Sequence, residues 1–425
     1  MIVVFYLLIA AMPFVKKGAT VGNLTYVKYV GLACLLVAFL ELLRRQRNVD
    51  VSAAPQSKWL VLFLFLITLS NAINGATFNF GSSLIISYWS FAFLFFMTIV
   101  LVNTLSRVYW SLVAAVGGMA WFAQYAIREW RYGLIHLGAT YRPSGMAGDS
   151  NYFGVNLVLV LPVAFTFFTT AKKRWQRLFF LGCTLLLLAA VVVGASRGTL
   201  LGLMVAYGYL ILQTKARRRY IGILLGFLIT FLAFSPSSPI KRLLHPSKSD
   251  VGSSEIRIYA WQAGLRMISA HPLEGVGLGN YKGAGPRYDP TGHLAHEPHI
   301  AHNAYLEIAA EMGIPIFLVF VALLGSTFRS LARTRRRCLA NGPEWLSAMA
   351  LAMQAGLTGA CVAIFFVSGQ YEKLLWLFLA LSVCLPSFVS RRAEVKPQER
   401  VEELPVFVGN PMLWEESEIR RLPVA

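Results

Sequence analysis

Charge is what this sequence has least of. Only 14% of its 425 residues are Asp, Glu, Lys or Arg, while 56% are hydrophobic and the mean hydropathy is positive. That balance leaves more apolar surface than a water-soluble core can hide, which excludes an ordinary globular domain. Short segments of alternating polarity are missing as well, which excludes a transmembrane β-barrel. Cysteine is scarce: Cys34, Cys183, Cys338, Cys361 and Cys384 fall in apolar runs or basic connections, so no disulfide framework is implied. The net charge is +19, yet no folded soluble module carries the basic residues, which sets nucleic-acid binding aside. No internal repeat is evident.

What is present is a series of apolar runs, most of them about as long as an α-helix rising about 1.5 Å per residue needs to cross a hydrocarbon core of about 30 Å. The sequence predicts an all-α polytopic integral membrane protein of about twelve transmembrane helices. The spans fall near 2–15, 25–43, 58–74, 82–103, 107–126, 151–171, 177–195, 198–213, 220–235, 303–326, 345–369 and 372–390. The first is read as a helix and not a signal peptide, because it has neither a basic n-region nor a small-residue cleavage site before Lys16 and Lys17. Residues 1–390 form one transmembrane domain on this reading. Residues 391–425, with Pro397, Pro405, Pro411 and Pro423, read as a mostly disordered cytoplasmic tail.

Orientation follows from the basic residues, because Lys and Arg near helix ends are retained in the cytoplasm. Clusters at Arg44–Arg47, Lys172–Arg177, Lys215–Arg219, Arg329–Arg337 and Arg391–Arg392 fall on one side if there are twelve spans. Both termini are then cytoplasmic. The connections at about 127–150 and 236–302 lie on the other face, and they hold all seven histidines: His136, His245, His271, His293, His296, His299 and His302. The longer connection is rich in Gly, Pro and aromatic residues and reads as a partly ordered, functional loop. Within it, "SSEIRIYAWQAGLRMISAHP" (253–272) has helical apolar spacing at Ile256, Ala260, Ala263, Gly264 and Met267, which predicts an amphipathic helix lying at the interface.

Three outer-face arginines stand apart from the topology signal. Arg197 sits in "GASRGTL", a hairpin between two spans; Arg257 lies early in the amphipathic helix; Arg142 lies in "YRPSGMAGDSNYFG". A lone arginine there is adequately explained by contact with lipid headgroups. Three of them beside a histidine-rich loop point further, to a planar donor fork matched to phosphate oxygens, as a diphosphate lipid would require.

Four stretches in order resemble the O-antigen ligase and O-antigen polymerase superfamily: "RPSGMAGDSNYFGVNLVLVLP" (142–162), "ASRGTLLGL" (195–203), "IRIYAWQAGLRMISAHPLEGVGLGNY" (256–281) and "HIAHNAYLEIAAEMGIP" (299–315). The resemblance covers roughly residues 80–390, and the N-terminal spans match in hydropathy only. Ile316 departs from it, standing where a small residue is frequent. The resemblance implies a bacterial inner-membrane transferase that takes a glycan from an undecaprenyl-diphosphate donor on the periplasmic side and passes it to a lipid A core, polysaccharide or protein acceptor. It also implies that Arg197 and Arg257 hold the diphosphate and that His302 works near the reacting centre, with no cofactor. A ligase, a polymerase and a protein O-oligosaccharyltransferase remain alternatives within it.

The residues carry the same chemistry on their own terms. A sugar diphosphate already has a good leaving group, so the demand is for a preorganised clamp on developing charge. The acceptor hydroxyl must lose a proton, a role suited to His302. Asn303 is a candidate N-cap, and Glu307 or Glu311 could orient the imidazole or the acceptor, or simply favour the helix N-terminus. His299 and Arg142 complete the candidates. His293, His296, His299 and His302 suggest a metal site, but Pro298 interrupts any single ligand-bearing helix face, and the reading is that no metal is used. A polysaccharide or lipid flippase is the rival of another class; it would place its charges at the membrane midplane, where this chain has few. A non-catalytic assembly partner would have no need of the Arg and His pattern. The topology has a direct check: a reporter inserted in the 236–302 connection should be reactive only from the periplasm, and cytoplasmic reactivity would overturn the orientation.

Overall fold

The structure is a computed structural model that describes residues 2–13, 20–21, 24–44, 55–74, 84–136, 143, 149–194, 196–214, 217–234 and 248–394. Arg142, residues 235–247 of the long connection and residues 395–425 of the expected tail lie outside the described residues. The apolar runs are helical because a helix satisfies its own backbone N–H and C=O groups where no water is present to do so. In chain order the helices are α1 (Ile2–Ala11), α2 (Tyr26–Arg44), α3 (Pro55–Ile73), α4 (Leu84–Leu101), α5 (Leu105–His136), α6 (Ser150–Thr170), α7 (Arg174–Gly194), α8 (Arg197–Gln213) and α9 (Arg217–Phe234). They continue with α10 (Lys248–Ala270), α11 (Tyr281–Tyr288), α12 (His293–His296), α13 (Ala304–Met312), α14 (Ile314–Asn341), α15 (Glu344–Ala363) and α16 (Lys373–Glu394). Two 3-10 turns, Ile364–Phe366 and Gly369–Tyr371, join α15 to α16, and a two-residue ladder pairs Thr20–Val21 with Leu24–Thr25.

A helix stands at each of the twelve expected positions, but seven of the described helices are long and apolar enough to cross a membrane: α3, α4, α5, α6, α7, α14 and α15. Shorter apolar helices lie within α1, α2, α9 and α16. The expected span 303–326 is corrected to two helices. Gly313, at φ +91°, ends α13 and begins α14, and a side chain on it would meet the Leu273 carbonyl oxygen at 2.1 Å, so the chain breaks where a loop crosses it. Two spans also run further than expected. α14 continues for 28 residues and carries Arg329 to Arg337 on its own surface, and α5 reaches His136, because nothing in either sequence stops the helix at a membrane face.

The centre of the bundle is α6, buried along most of its length and packed against α7, α8 and α15. Glycines set how closely these helices approach. A side chain at Gly359 would sit 2.4 Å from the Gly202 carbonyl oxygen, and one at Gly356 would sit 2.4 Å from that of Leu159. At Gly154 the intruder would be Thr199. Small residues at such crossings let backbones touch, which is how helices gain dispersion contact where no hydrophobic effect separates them from lipid. An aromatic group fills the neighbouring space between α3, α4, α14 and α16, with Phe91 stacked on Trp376 at 5.3 Å and Phe63, Tyr88 and Phe320 around them.

Residues from α10 to α13 build a second, smaller core of Ala260, Ala263, Met267, Tyr281, Leu294, Ala301 and Ala310 on one end of the bundle. The predicted amphipathic helix is therefore present as α10, with its apolar face on α13. The Tyr281 hydroxyl donates to the Ala260 carbonyl at 2.7 Å, and Gly264 leaves the room for it. A glycine strap then ties this layer down. Val276 and Gly277 donate to the carbonyls of Ala310 and Glu311, Ile314 donates to Pro272, and Ser70 of α3 donates to Glu274 at 2.7 Å. Gly275, Gly277 and Gly279 all take positive φ, and at Gly275 a side chain would strike the Glu311 backbone at 2.3 Å. The α8–α15 contact has a simple test. Gly359→Val should cost on the order of 1–3 kcal/mol through overpacking, read as a lower unfolding temperature in detergent, whereas Gly182→Val, with nothing within 4 Å of the added carbon, should cost much less.

Candidate functional site

Three capped helix starts contribute to the site. Asp149 caps α6, its carboxylate accepting from the Asn151 N–H at 2.6 Å. Ser196 caps α8, and its hydroxyl donates to Asn151 Oδ1 at 2.8 Å, so the two helix N-termini are tied side by side. Asn303 caps α13 as expected, accepting from the N–H groups of Tyr305 at 3.1 Å and Leu306 at 3.2 Å. Each cap is a short polar side chain at the head of an apolar run, the residue type that satisfies otherwise orphaned first-turn N–H groups.

Three of the predicted residues approach this corner. Arg197 is the first residue of α8 and is exposed; Arg257 comes down from α10 and is half-buried; His302 lies one residue before the Asn303 cap. Burial lowers the Arg257 pKa, Asp149 opposes that shift, and Arg197 adds to it, so the two guanidiniums and the carboxylate lie within electrostatic reach of one another. His302 is the non-glycine residue at positive φ among the described residues, at +47°. Burial is the main cause that pulls its pKa down to about 4; Arg257 and His299 lower it further and Asp149 resists. Its imidazole is therefore neutral near pH 7. Nδ1 is buried and has no hydrogen-bond partner among the described residues, an unfilled acceptor or donor position in a half-buried site. His299 lies edge-on to His302, ring centres 5.0 Å apart, and its own pKa is lowered, first by burial and then by Arg257.

The structure does not gather every predicted residue. Glu307 is buried one turn into α13, where Ser368 donates to one carboxylate oxygen and Gln370 to the other at 2.9 Å, so it anchors the turn between α15 and α16. Glu311 accepts from the Tyr281 N–H at 3.0 Å and fastens the glycine strap. The other loop histidines are dispersed. His293 stacks on Tyr259 at 4.0 Å and bonds Thr291 at 2.8 Å, while His271 bridges Glu274 and Tyr288, each at 2.9 Å. Among the described residues no three His, Cys, Asp or Glu side chains are grouped to hold a metal ion.

Sequence reasoning missed Asp149, Asn151 and Ser196. Their signal was available, since "GDSN" and "GAS" each place a capping residue just before an apolar run. Ser368 and Gln370 carry no such signal. Chemically, the corner offers two guanidiniums to an anion, and a neutral imidazole beside Arg257 to a proton.

Residues 182–321, a third of the chain, match the model of a family described as O-antigen ligase. The matched segment runs from α7 into α14 and includes Arg197, Arg257, His302, Asn303 and Glu307. Comparison with curated proteins gives no match. The electrostatics of His302 can be read directly. Histidine-labelled protein followed by NMR should show this ring neutral from pH 7 down to about 4, with protonation only below; titration near the ordinary 6.5 would mean that the site is wetter than the structure describes.

Proposed function

Taking residues 182–321 as a domain of the O-antigen ligase superfamily, we propose that this chain is a membrane glycosyltransferase that moves a glycan from an undecaprenyl-diphosphate donor to an acceptor hydroxyl at the periplasmic face of the inner membrane. The observation that carries the proposal is that Arg257 lies within electrostatic reach of both Arg197 and a neutral His302. The clamp of Arg197 and Arg257 holds the diphosphate and takes up charge as the sugar C–O bond breaks. His302 accepts the proton of the acceptor hydroxyl as that oxygen attacks the anomeric carbon. The step inverts that carbon, because no nucleophile for a covalent intermediate accompanies the resemblance. Arg142 is a weaker third member of the clamp, Asn303 and His299 set the position of His302, and Glu307 holds α13 beneath it.

A pKa near 4 has a consequence for this base. It is fully unprotonated at neutral pH, but it is a poor final resting place for the proton. The incoming diphosphate corrects this, since two negative phosphates beside Arg257 raise the imidazole's affinity for a proton when the acceptor must be activated. The free enzyme, reported by kcat/KM, should therefore keep its activity on acidification until pH approaches 4. In the donor complex, reported by kcat, the acid limb should lie higher.

Substitution tests the roles separately. Arg197→Lys and Arg257→Lys should lose most activity, because a point charge replaces a bidentate fork. His302→Ala should cost on the order of 10²- to 10⁴-fold in rate with little change in donor binding. Changes at His293 or His296 should cost far less, and EDTA should have no effect. Parental transfer rates in both lysine variants, measured with purified protein and a polyprenyl-diphosphate glycan, would remove the clamp from the mechanism.

A further inference from the structure

Asp149 has no place in the reaction described so far, yet it bears on both of that reaction's charged poles. Its position is fixed twice. Its carboxylate is held by the Asn151 N–H at 2.6 Å, and the Asn151 side chain accepts from Ser196, the residue next to Arg197. The carboxylate therefore cannot swing out to water without uncapping α6. We propose that Asp149 is the resident counter-charge of this corner, balancing Arg257 before a diphosphate arrives and, by repelling that diphosphate, setting how readily the spent carrier lipid leaves. The proposal rests on the donor reading above.

Capping alone would not require a carboxylate, because Asn caps a helix as well as Asp does. What the carboxylate adds is charge, in a place where charge has a target. Asp149 acts on Arg257 against the effects of burial and of Arg197, and on His302 against the effects of burial, Arg257 and His299. The geometry brings α8, α10 and the segment entering α13 together: Trp261, one turn along α10 from Arg257, donates to the Ala301 carbonyl just before His302 at 2.7 Å and lies edge-on to Phe365, whose neighbour Phe366 packs against Gly198, next to Arg197. When the donor binds, its phosphates take over the neutralising of Arg257, and Asp149 is left as a like charge beside them. An enzyme that must release a product diphosphate gains from such a residue, because binding substrate and product equally tightly slows turnover.

The test exploits the Asn cap. Asp149→Asn keeps the α6 cap and removes the charge, and Asp149→Ala removes both. With full-length protein in detergent, inorganic pyrophosphate binding is measured by calorimetry, glycan transfer by steady-state kinetics and His302 titration by NMR. Asp149→Asn should bind pyrophosphate on the order of 3- to 10-fold more tightly, lower both KM for the donor and kcat, and move the His302 titration below its parental position near 4. Asp149→Ala should show the same direction in binding with a lower unfolding temperature. A merely structural cap predicts the reverse pattern: Asp149→Asn indistinguishable from the parent in all three readouts, which would overturn the proposal. Equal or weaker pyrophosphate binding in a folded Asp149→Asn variant overturns it too. If the unsubstituted protein binds no pyrophosphate, the donor reading itself fails and takes this inference with it, a result distinct from a difference confined to the variants.

Discussion

The crowding of like charges at a half-buried corner is the constraint on which the rest of the structure depends. Arg257 lies within electrostatic reach of both Arg197 and His302: Arg197 raises the cost of charge on Arg257, and Arg257 raises it on His302. Left to themselves, two guanidiniums on flexible stems would move apart into water. Their backbones are fixed chiefly by helix packing. α8 is pressed against α15 through Gly202 and Gly359, and against α6 where Gly154 meets Thr199, while its far end is gripped by Arg335, which donates twice to Gln213 at 2.7 Å. α10 is held on α13 by small residues and on α11 by the Tyr281 hydroxyl. The glycines of the bundle thus set the electrostatics of its end.

The same division of labour explains the fate of the carboxylates. Glu307 and Glu311 lie on α13, close in sequence to His302, and proximity in sequence suggested partnership with it. A buried carboxylate, however, must be hydrogen-bonded, and the nearest donors decide its role. For Glu307 these are Ser368 and Gln370, and for Glu311 the backbone of the glycine strap. Both therefore act on the scaffold, joining α13 to the last two long helices on one side and to the strap on the other. His302 reaches its position because α13 is held from both directions.

How much of this could be read in the sequence varies with the range of the interaction responsible. The helical class, the approximate place of the long apolar helices and the amphipathic α10 were legible, because hydropathy and periodicity are local. So was the Asn303 cap, a one-residue signal at the head of a helix. The break at Gly313 was not, since an isolated glycine in an apolar run is ordinary, and it is the crossing Leu273 carbonyl that requires it. Arg197, Arg257 and His302 could be singled out as unusual, but their meeting joins residues 60 and 45 positions apart, which no local pattern encodes. Asp149 was overlooked for the opposite reason: its local role as a cap is complete in itself, and only the fold brings α10 over it.

A neutral base beside permanent cations also bears on why histidine and arginine divide the work here. Arginine stays charged even when burial lowers its pKa, so partial dehydration strengthens its hold on phosphate without the risk of neutralising it. Histidine responds in the opposite way: the same dehydration and the same cations strip its proton and keep it ready to accept one. One environment therefore prepares both groups. The unpartnered Nδ1 of His302 fits that logic, because a carboxylate bonded to it would hold the ring more firmly but would favour imidazolium before any acceptor had arrived. On the proposed reaction the donor's diphosphate supplies the negative charge that makes the imidazole a competent base, so that proton removal is coupled to donor binding and an acceptor entering alone meets a base too weak to activate it.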